Sequence, residues 1–355
     1  MAHITSNLLL HRFRRMNQSE PSPPPAPQPS EKIDPEYGCY RPTPVDIIVA
    51  HIMLTRSLKL PPELVDSIFD MAEYWAHSIN VIDYPAQQQR ELRIMGSSRT
   101  ENKFLVSSLT IIDGQESLSN EPAYDTLDAT PLPHKTDCDP SYFSKLAMYP
   151  TPRLLNPARK IVFKIKSHDQ GWGGPLEKRG TFEASWTWFE AGLERFDPEA
   201  TCHGYSTFDG ASIPALPVCG LRPIQPEIAP VRSNAGHDKP TEQNQADSVE
   251  PDPAEDVYTY IHPLQGRPEW QIQCNKTATR DWQEHKITWS YLDDVKSDSD
   301  EGKALETRGR GRATGDGSFV RNLRMGDVIT VWGKARFPGW VNSIERVEIE
   351  VYWAV

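Results

Sequence analysis

Val347-Glu348-Ile349-Glu350-Val351-Tyr352-Trp353 decides the reading of this chain. Apolar and polar residues alternate through it. Successive side chains of an extended chain point to opposite faces, so this pattern predicts a strand with one face in a core. The pattern recurs upstream in Asp327-Val328-Ile329-Thr330-Val331-Trp332, in Ile287, Trp289 and Tyr291, and in Trp270-Gln271-Ile272-Gln273-Cys274. Ile161, Phe163 and Ile165 alternate with Val162, Lys164 and Lys166, and Phe182, Ala184, Trp186 and Trp188 alternate with Thr181, Glu183, Ser185 and Thr187. So many short period-two segments predict a mainly β chain. Residues 159–355 are expected to form an antiparallel β-sandwich with one buried and one solvated face per sheet.

Nine of the ten tryptophans lie in this half of the chain. Two of its loops combine aromatic and polar residues. The first is Ser167-His168-Asp169-Gln170-Gly171-Trp172-Gly173-Gly174. His168, Asp169 and Gln170 can present hydrogen-bonding groups there, with Trp172 as a flat apolar platform, a pairing that suits a sugar ring or a peptide side chain. The second is Arg336-Phe337-Pro338-Gly339-Trp340-Val341-Asn342, where Arg336, Trp340 and Asn342 can form one binding edge. The competing reading makes both loops structural: Trp172 plugs the end of the sandwich, Asp169 caps its turn, and the second loop is a corner. Recognition gains if both loops lie at one end.

Upstream, Thr43-Pro44-Val45-Asp46 carries helix-start chemistry: a capping hydroxyl, proline at the first position, and a carboxylate at the positive helix end. Val45, Ile48, Val49, Ile52 and Met53 follow at helical spacing. After Leu58-Lys59-Leu60-Pro61-Pro62, a second stripe runs through Leu64, Val65, Ile68, Phe69, Ala72 and Trp75. Residues 43–80 are therefore expected to form a helical hairpin that needs a surface to bury its stripe. Residues 81–158 read as a strand region, strongest from Lys103 to Ile112, followed by a linker rich in Pro, Asp, Ser and Thr.

The 32 prolines and a hydrophobic content of 37% indicate that part of the chain lacks a packed core. Residues 1–42, Pro-rich from Ser19 to Ser30, are expected to be a disordered tail. Residues 222–256 and 293–317 are expected to be mobile insertions, the second acidic and then Arg-Gly-rich. The net charge of −11 opposes a general nucleic-acid role. Five widely spaced cysteines without a C-x-x-C pair fit free thiols in a reducing compartment and give no zinc pattern. No apolar run is long enough to cross a membrane. The expected location is cytoplasmic or nuclear, although the Arg-bearing N-terminus shares features with a weak transit peptide. No cofactor or metal is expected.

Leu60-Pro61-Pro62-Glu63-Leu64-Val65-Asp66-Ser67-Ile68-Phe69-Asp70-Met71-Ala72 resembles the opening of an F-box, which begins Leu-Pro-x-Glu-Leu. The resemblance implies docking on the Skp-type adaptor of a cullin ubiquitin ligase, with Leu60, Pro61, Leu64, Ile68 and Trp75 as contacts. The chain departs from the family in having a helix before the motif and no second F-box half after His77. Residues 159–355 resemble a C-terminal domain of uncharacterised, mainly fungal proteins. The Ser-His-Asp-Gln-Gly-Trp, Phe-Pro-Gly-Trp-Val-Asn and Val-Tyr-Trp-Ala stretches carry that similarity. It implies a jelly-roll-like or galactose-binding-like sandwich, and no activity.

The combined expectation is a non-enzymatic binding protein, in one form an F-box-like substrate receptor whose sandwich loops meet a protein or glycan. One alternative is a scaffold domain unrelated to ubiquitin. The other is a hydrolase using His168 and Asp169, although no nucleophile motif or paired carboxylates accompany them.

Overall fold

The computed structural model describes residues 40–87, 89–96, 101–107, 154–196, 205–208, 211–214, 221–230 and 258–355. The expected tail (to residue 39), most of the linker and residues 231–256 of the first insertion lie outside these. Two antiparallel sheets pack face to face. The first runs β1 (Ala76–Asp83), β14 (Val341–Trp353), β4 (Ala158–His168), β12 (Gln283–Ser290), with β2 (Leu92–Met95) also against β14. The second runs β11 (Gln271–Cys274), β5 (Thr187–Phe196), β13 (Val328–Ala335), β3 (Glu101–Ser107), with β8 (Leu221–Gln225) also against β5. Two ribbons complete the set: β6 (Tyr205–Phe208) with β7 (Ala211–Pro214), and β9 (Glu227–Pro230) with β10 (Tyr258–Ile261).

The sandwich is mainly β, as its periodicity requires, and β1, β2 and β3 from ahead of residue 159 belong to its two sheets. Val347, Ile349 and Val351 of β14 and Ile161, Phe163 and Ile165 of β4 face Phe189, Ala191, Ile329 and Val331 across the core. Phe163 meets Trp289 edge to face at 5.0 Å, and Trp289 meets Phe319 at 5.0 Å. Burying a ring system of roughly 200 Å² is worth on the order of 5 kcal/mol before entropy, so these aromatics carry much of the core. Gly192 lets β8 approach β5. A Cβ there would lie 2.2 Å from the Thr330 hydroxyl and 2.5 Å from the Gln225 carbonyl oxygen.

Four expectations need correction. The alternation at 181–188 is not one strand: β5 starts at Thr187, because Gly180 and Ala184 take positive φ of 75° and 55° and turn the chain. The outer face of β5 and β13 in the second sheet is not solvated. Tyr260 and His262 lie against Trp332 at 4.9 Å each, and every residue of β13 is buried. The hairpin consists of α1 (Pro44–Ser57), capped as expected by Thr43 and Asp46, and α2 (Pro62–Met71). Ala72 and Trp75 fall past its end, and β1 begins at Ala76, inside the expected hairpin. Finally, residues 293–317 are not a bare loop. They hold α3 (Asp300–Thr307), capped by Ser299, and a backbone pairing of Val295 N–H to the Gly315 carbonyl at 2.9 Å. The Arg-Gly stretch covers the edge of β11: Cys274 N–H donates to Gly309 at 2.7 Å, and Gly311 N–H donates to Gln271 at 3.0 Å. Arg310 then reaches the Thr288 carbonyl of β12 at 3.2 Å. Glycines that let the backbone approach, read in sequence as flexibility, here close a sheet edge.

Candidate functional site

One end of the sandwich gathers the loops. β4 ends there at His168, β12 begins at Gln283, and β13 leads into β14 through residues 336–340. Asp169 is fully buried, and its carboxylate binds the backbone of two turns. Oδ1 accepts from Gly171 at 2.7 Å and Thr279 at 2.9 Å, and Oδ2 accepts from Ala278 at 2.7 Å. Burial raises the Asp169 pKa from its ordinary value, against the pull of these three N–H groups. Gly171 takes φ +82°, and a Cβ on it would strike Arg280.

Gln170 joins the two aromatic–polar loops. Its Nε2 donates to the Trp172 carbonyl at 2.7 Å, and its Oε1 accepts from Val341 N–H at 3.0 Å. Gly339 sits against the Trp172 ring; a Cβ there would be 3.0 Å from Cη2. The two sequence-predicted loops are therefore neighbours.

Most of their polar groups are spent internally. Asn342 is buried, donates to the Trp188 and Lys334 carbonyls, and accepts from Asn275 at 2.9 Å. Ser167 donates to Asn275 at 2.7 Å, so this amide network ties the two sheets together. Arg336 is fully buried over Trp188 and donates to the carbonyls of Ala335, Pro263 and Leu264. Asp169, Gln170, Arg336 and Asn342, expected as ligand groups, are thus structural in their contacts. The buried ends of these polar side chains are satisfied by backbone groups that the turns would otherwise leave unbonded.

His168 contacts the Asp169 carbonyl through Nδ1 at 2.5 Å. A carbonyl only accepts, so Nδ1 is the donor in this contact. The contact is with the Asp169 backbone carbonyl, not with its carboxylate. Trp172 remains 58% exposed, and Trp340 is half-buried. Phe337, exposed, packs on Trp186 at 4.6 Å.

Sequence reading missed a second cluster beside this one. Phe182, Lys276, Trp282, Gln283, Glu284 and His285 line an open groove. Trp282, 38% exposed, stands edge-on to His168 at 4.4 Å. The only sequence signal was Gln283 and His285 continuing the alternation of Ile287 and Trp289.

The hairpin is a separate surface. Val65 is fully buried, Ile47 is buried, and Phe69 packs on Tyr74 at 5.5 Å. Asp70 takes the Trp75 indole N–H at 2.9 Å and pairs with Arg159 at 2.8 Å, while Lys160 pairs with Glu73. Trp75, expected as an adaptor contact, is buried instead, because the chain turns there into β1. Leu60 is half-buried and Pro61 exposed; Leu64 and Ile68 are 53% and 39% exposed. Met71 continues their face, and Val45, Val49, Ile52 and Met53 make an exposed stripe on α1.

Among the described residues no helix is long and apolar enough to cross a membrane, and no group of three or more His, Cys, Asp or Glu is placed to hold a metal ion. Compared with protein-family models, curated proteins and solved structures, the chain gives no match in any of the three.

Proposed function

We propose that this is a non-enzymatic binding protein with two contact regions. The helical hairpin engages a protein partner, and the aromatic end of the sandwich engages a client protein or glycan. The carrying observation is the split of the α2 stripe. Val65 and Phe69 pack inward, while Leu64, Ile68 and Met71 face solvent beside a second exposed stripe on α1. Large exposed apolar faces on a folded chain mark interaction surfaces. The Leu-Pro-x-Glu-Leu opening makes a Skp-type adaptor of a cullin ligase the partner to test first, with Leu60, Pro61, Leu64 and Ile68 as contacts, in the cytoplasm or nucleus.

The test is capture of a purified Skp-type adaptor by the full-length protein. Binding that vanishes in Leu64→Asp/Ile68→Asp, with unfolding behaviour unchanged, supports the receptor reading. No binding by the wild-type chain refutes it. The burial of Val65 and Trp75 favours a second reading, in which the hairpin is a fixed cover of the sandwich within a scaffold unrelated to ubiquitin.

A further inference from the structure

We propose that the groove lined by Phe182 and Trp282 binds a saccharide, with these aromatic rings as apolar surfaces and Gln283 and His285 as hydrogen-bonding groups. This deepens the sandwich-end half of the function proposed above and rests on it, and it places the ligand on residues other than the two aromatic–polar loops.

Gln283 and His285 are two apart on β12, so both point to the face that carries buried Ile287 and Trp289. At this end of the strand the core gives way to the groove. Gln283 Oε1 and His285 Nε2 are enclosed, yet neither has a hydrogen-bond partner among the described residues. Leaving such a group unsatisfied costs about 1–3 kcal/mol, so two together at a groove are a reason to look for a ligand.

The neighbours narrow its chemistry. The Phe182 ring lies 6.0 Å from His285, with Lys276 Nζ 5.6 Å from the Phe182 centroid. Rings of this kind offer apolar faces to a flat ligand surface. Lys276 lines the groove and can donate to a ligand oxygen, whereas Glu284, next along β12, points to the opposite face beside Lys166. Burial, with Lys276 adding to it, pushes the His285 pKa down to about 4, so the ring is neutral near pH 7. A neutral imidazole nitrogen either donates or accepts, according to tautomer, and a hydroxyl meets either need. A hydroxyl also donates to Gln283 Oε1. A sugar ring combines these hydroxyls with an apolar C–H face.

The experiment is saturation-transfer NMR on the full-length protein. The probes are the methyl glycosides of galactose, glucose, mannose and N-acetylglucosamine, with benzyl alcohol as a purely aromatic comparison. The expected result is transfer to at least one glycoside. Its affinity should weaken by about tenfold in Gln283→Leu and fall below detection in Trp282→Ala. Transfer to none of the glycosides, transfer to benzyl alcohol alone, or unchanged binding in a folded Gln283→Leu would overturn the proposal. Gln283→Leu decides the matter should Trp282→Ala unfold through lost packing on His168. Adaptor capture reads the hairpin and not β12, so failure here leaves that test intact. A protein client captured without any glycoside signal would keep the sandwich-end function and remove only the saccharide.

Discussion

Gln170 holds Val341: the Val341 backbone N–H donates to Gln170 Oε1 at 3.0 Å, across 171 positions of sequence. The same amide donates to Trp172, so one side chain fixes the relation of two loops that belong to different strand connections. Gln170→Ala should therefore lower stability by about 1–2 kcal/mol. It should also raise amide exchange at 171–174 and 337–341 more than elsewhere. Urea unfolding and hydrogen exchange read both; uniform exchange across the sandwich would mean that the amide is not a local clamp.

Asp169 offers a sharper case. Removing its carboxylate orphans three backbone N–H groups in half-buried turns. Asp169→Ala is expected to cost about 3–5 kcal/mol, more than a typical single substitution. Asp169→Asn, which keeps one carbonyl acceptor, should cost less. Equal losses in the two variants, measured by urea unfolding, would show that volume rather than hydrogen bonding matters.

Glu194 makes stability depend on pH. Burial alone pushes its pKa up from 4.5 to about 8. The folded state therefore holds a proton that the unfolded state releases between those values. Where the folded state binds more protons, stability falls as pH rises. This contribution should decline from about pH 4.5 to pH 8, and Glu194→Gln should flatten that part of the profile. Thermal unfolding across pH 5–8 checks it; an unchanged slope in the variant would exclude Glu194 as the source.

The hairpin separates burial from exposure on one short helix. Val65→Ala should cost about 1–3 kcal/mol, since it removes packed methyl groups, whereas Leu64→Ala should change stability by less than about 0.5 kcal/mol. Comparable losses at both positions would place Leu64 in a packed contact and weaken the proposed interaction face.

Lys164 bridges two buried carboxylates on the outer face of β14, at 2.9 Å from Glu348 and 2.9 Å from Glu350. Burial acts most strongly on Glu350, yet its bonds with Lys164, Tyr352 and Glu348 hold its pKa down to about 2, whereas that of Glu348 is raised. Lys164→Met should cost about 3–5 kcal/mol near pH 7, because it strands buried negative charge. The loss should shrink in acid as the carboxylates take up protons; a loss that is constant with pH would point to packing instead.

The sequence by itself determined the strand faces and the helix starts. Ile161, Phe163 and Ile165, or Val347, Ile349 and Val351, share one face of an extended chain whatever surrounds them. Thr43 and Asp46 cap α1 through contacts three residues apart. Such information is local, so it is readable. Only the tertiary structure decided which polar residues are bonded internally. Arg336 and Asn342 have the chemistry of a binding edge, but long-range packing sets Arg336 on Trp188 and Asn342 against Asn275. The groove at Trp282 was hidden for the same reason, since Phe182 and His285 meet across 103 residues only when the loop before β5 folds over the end of β12. Burial and hydrogen-bond partnership are properties of the assembled sheets, and period-two patterning reports only which face a residue takes.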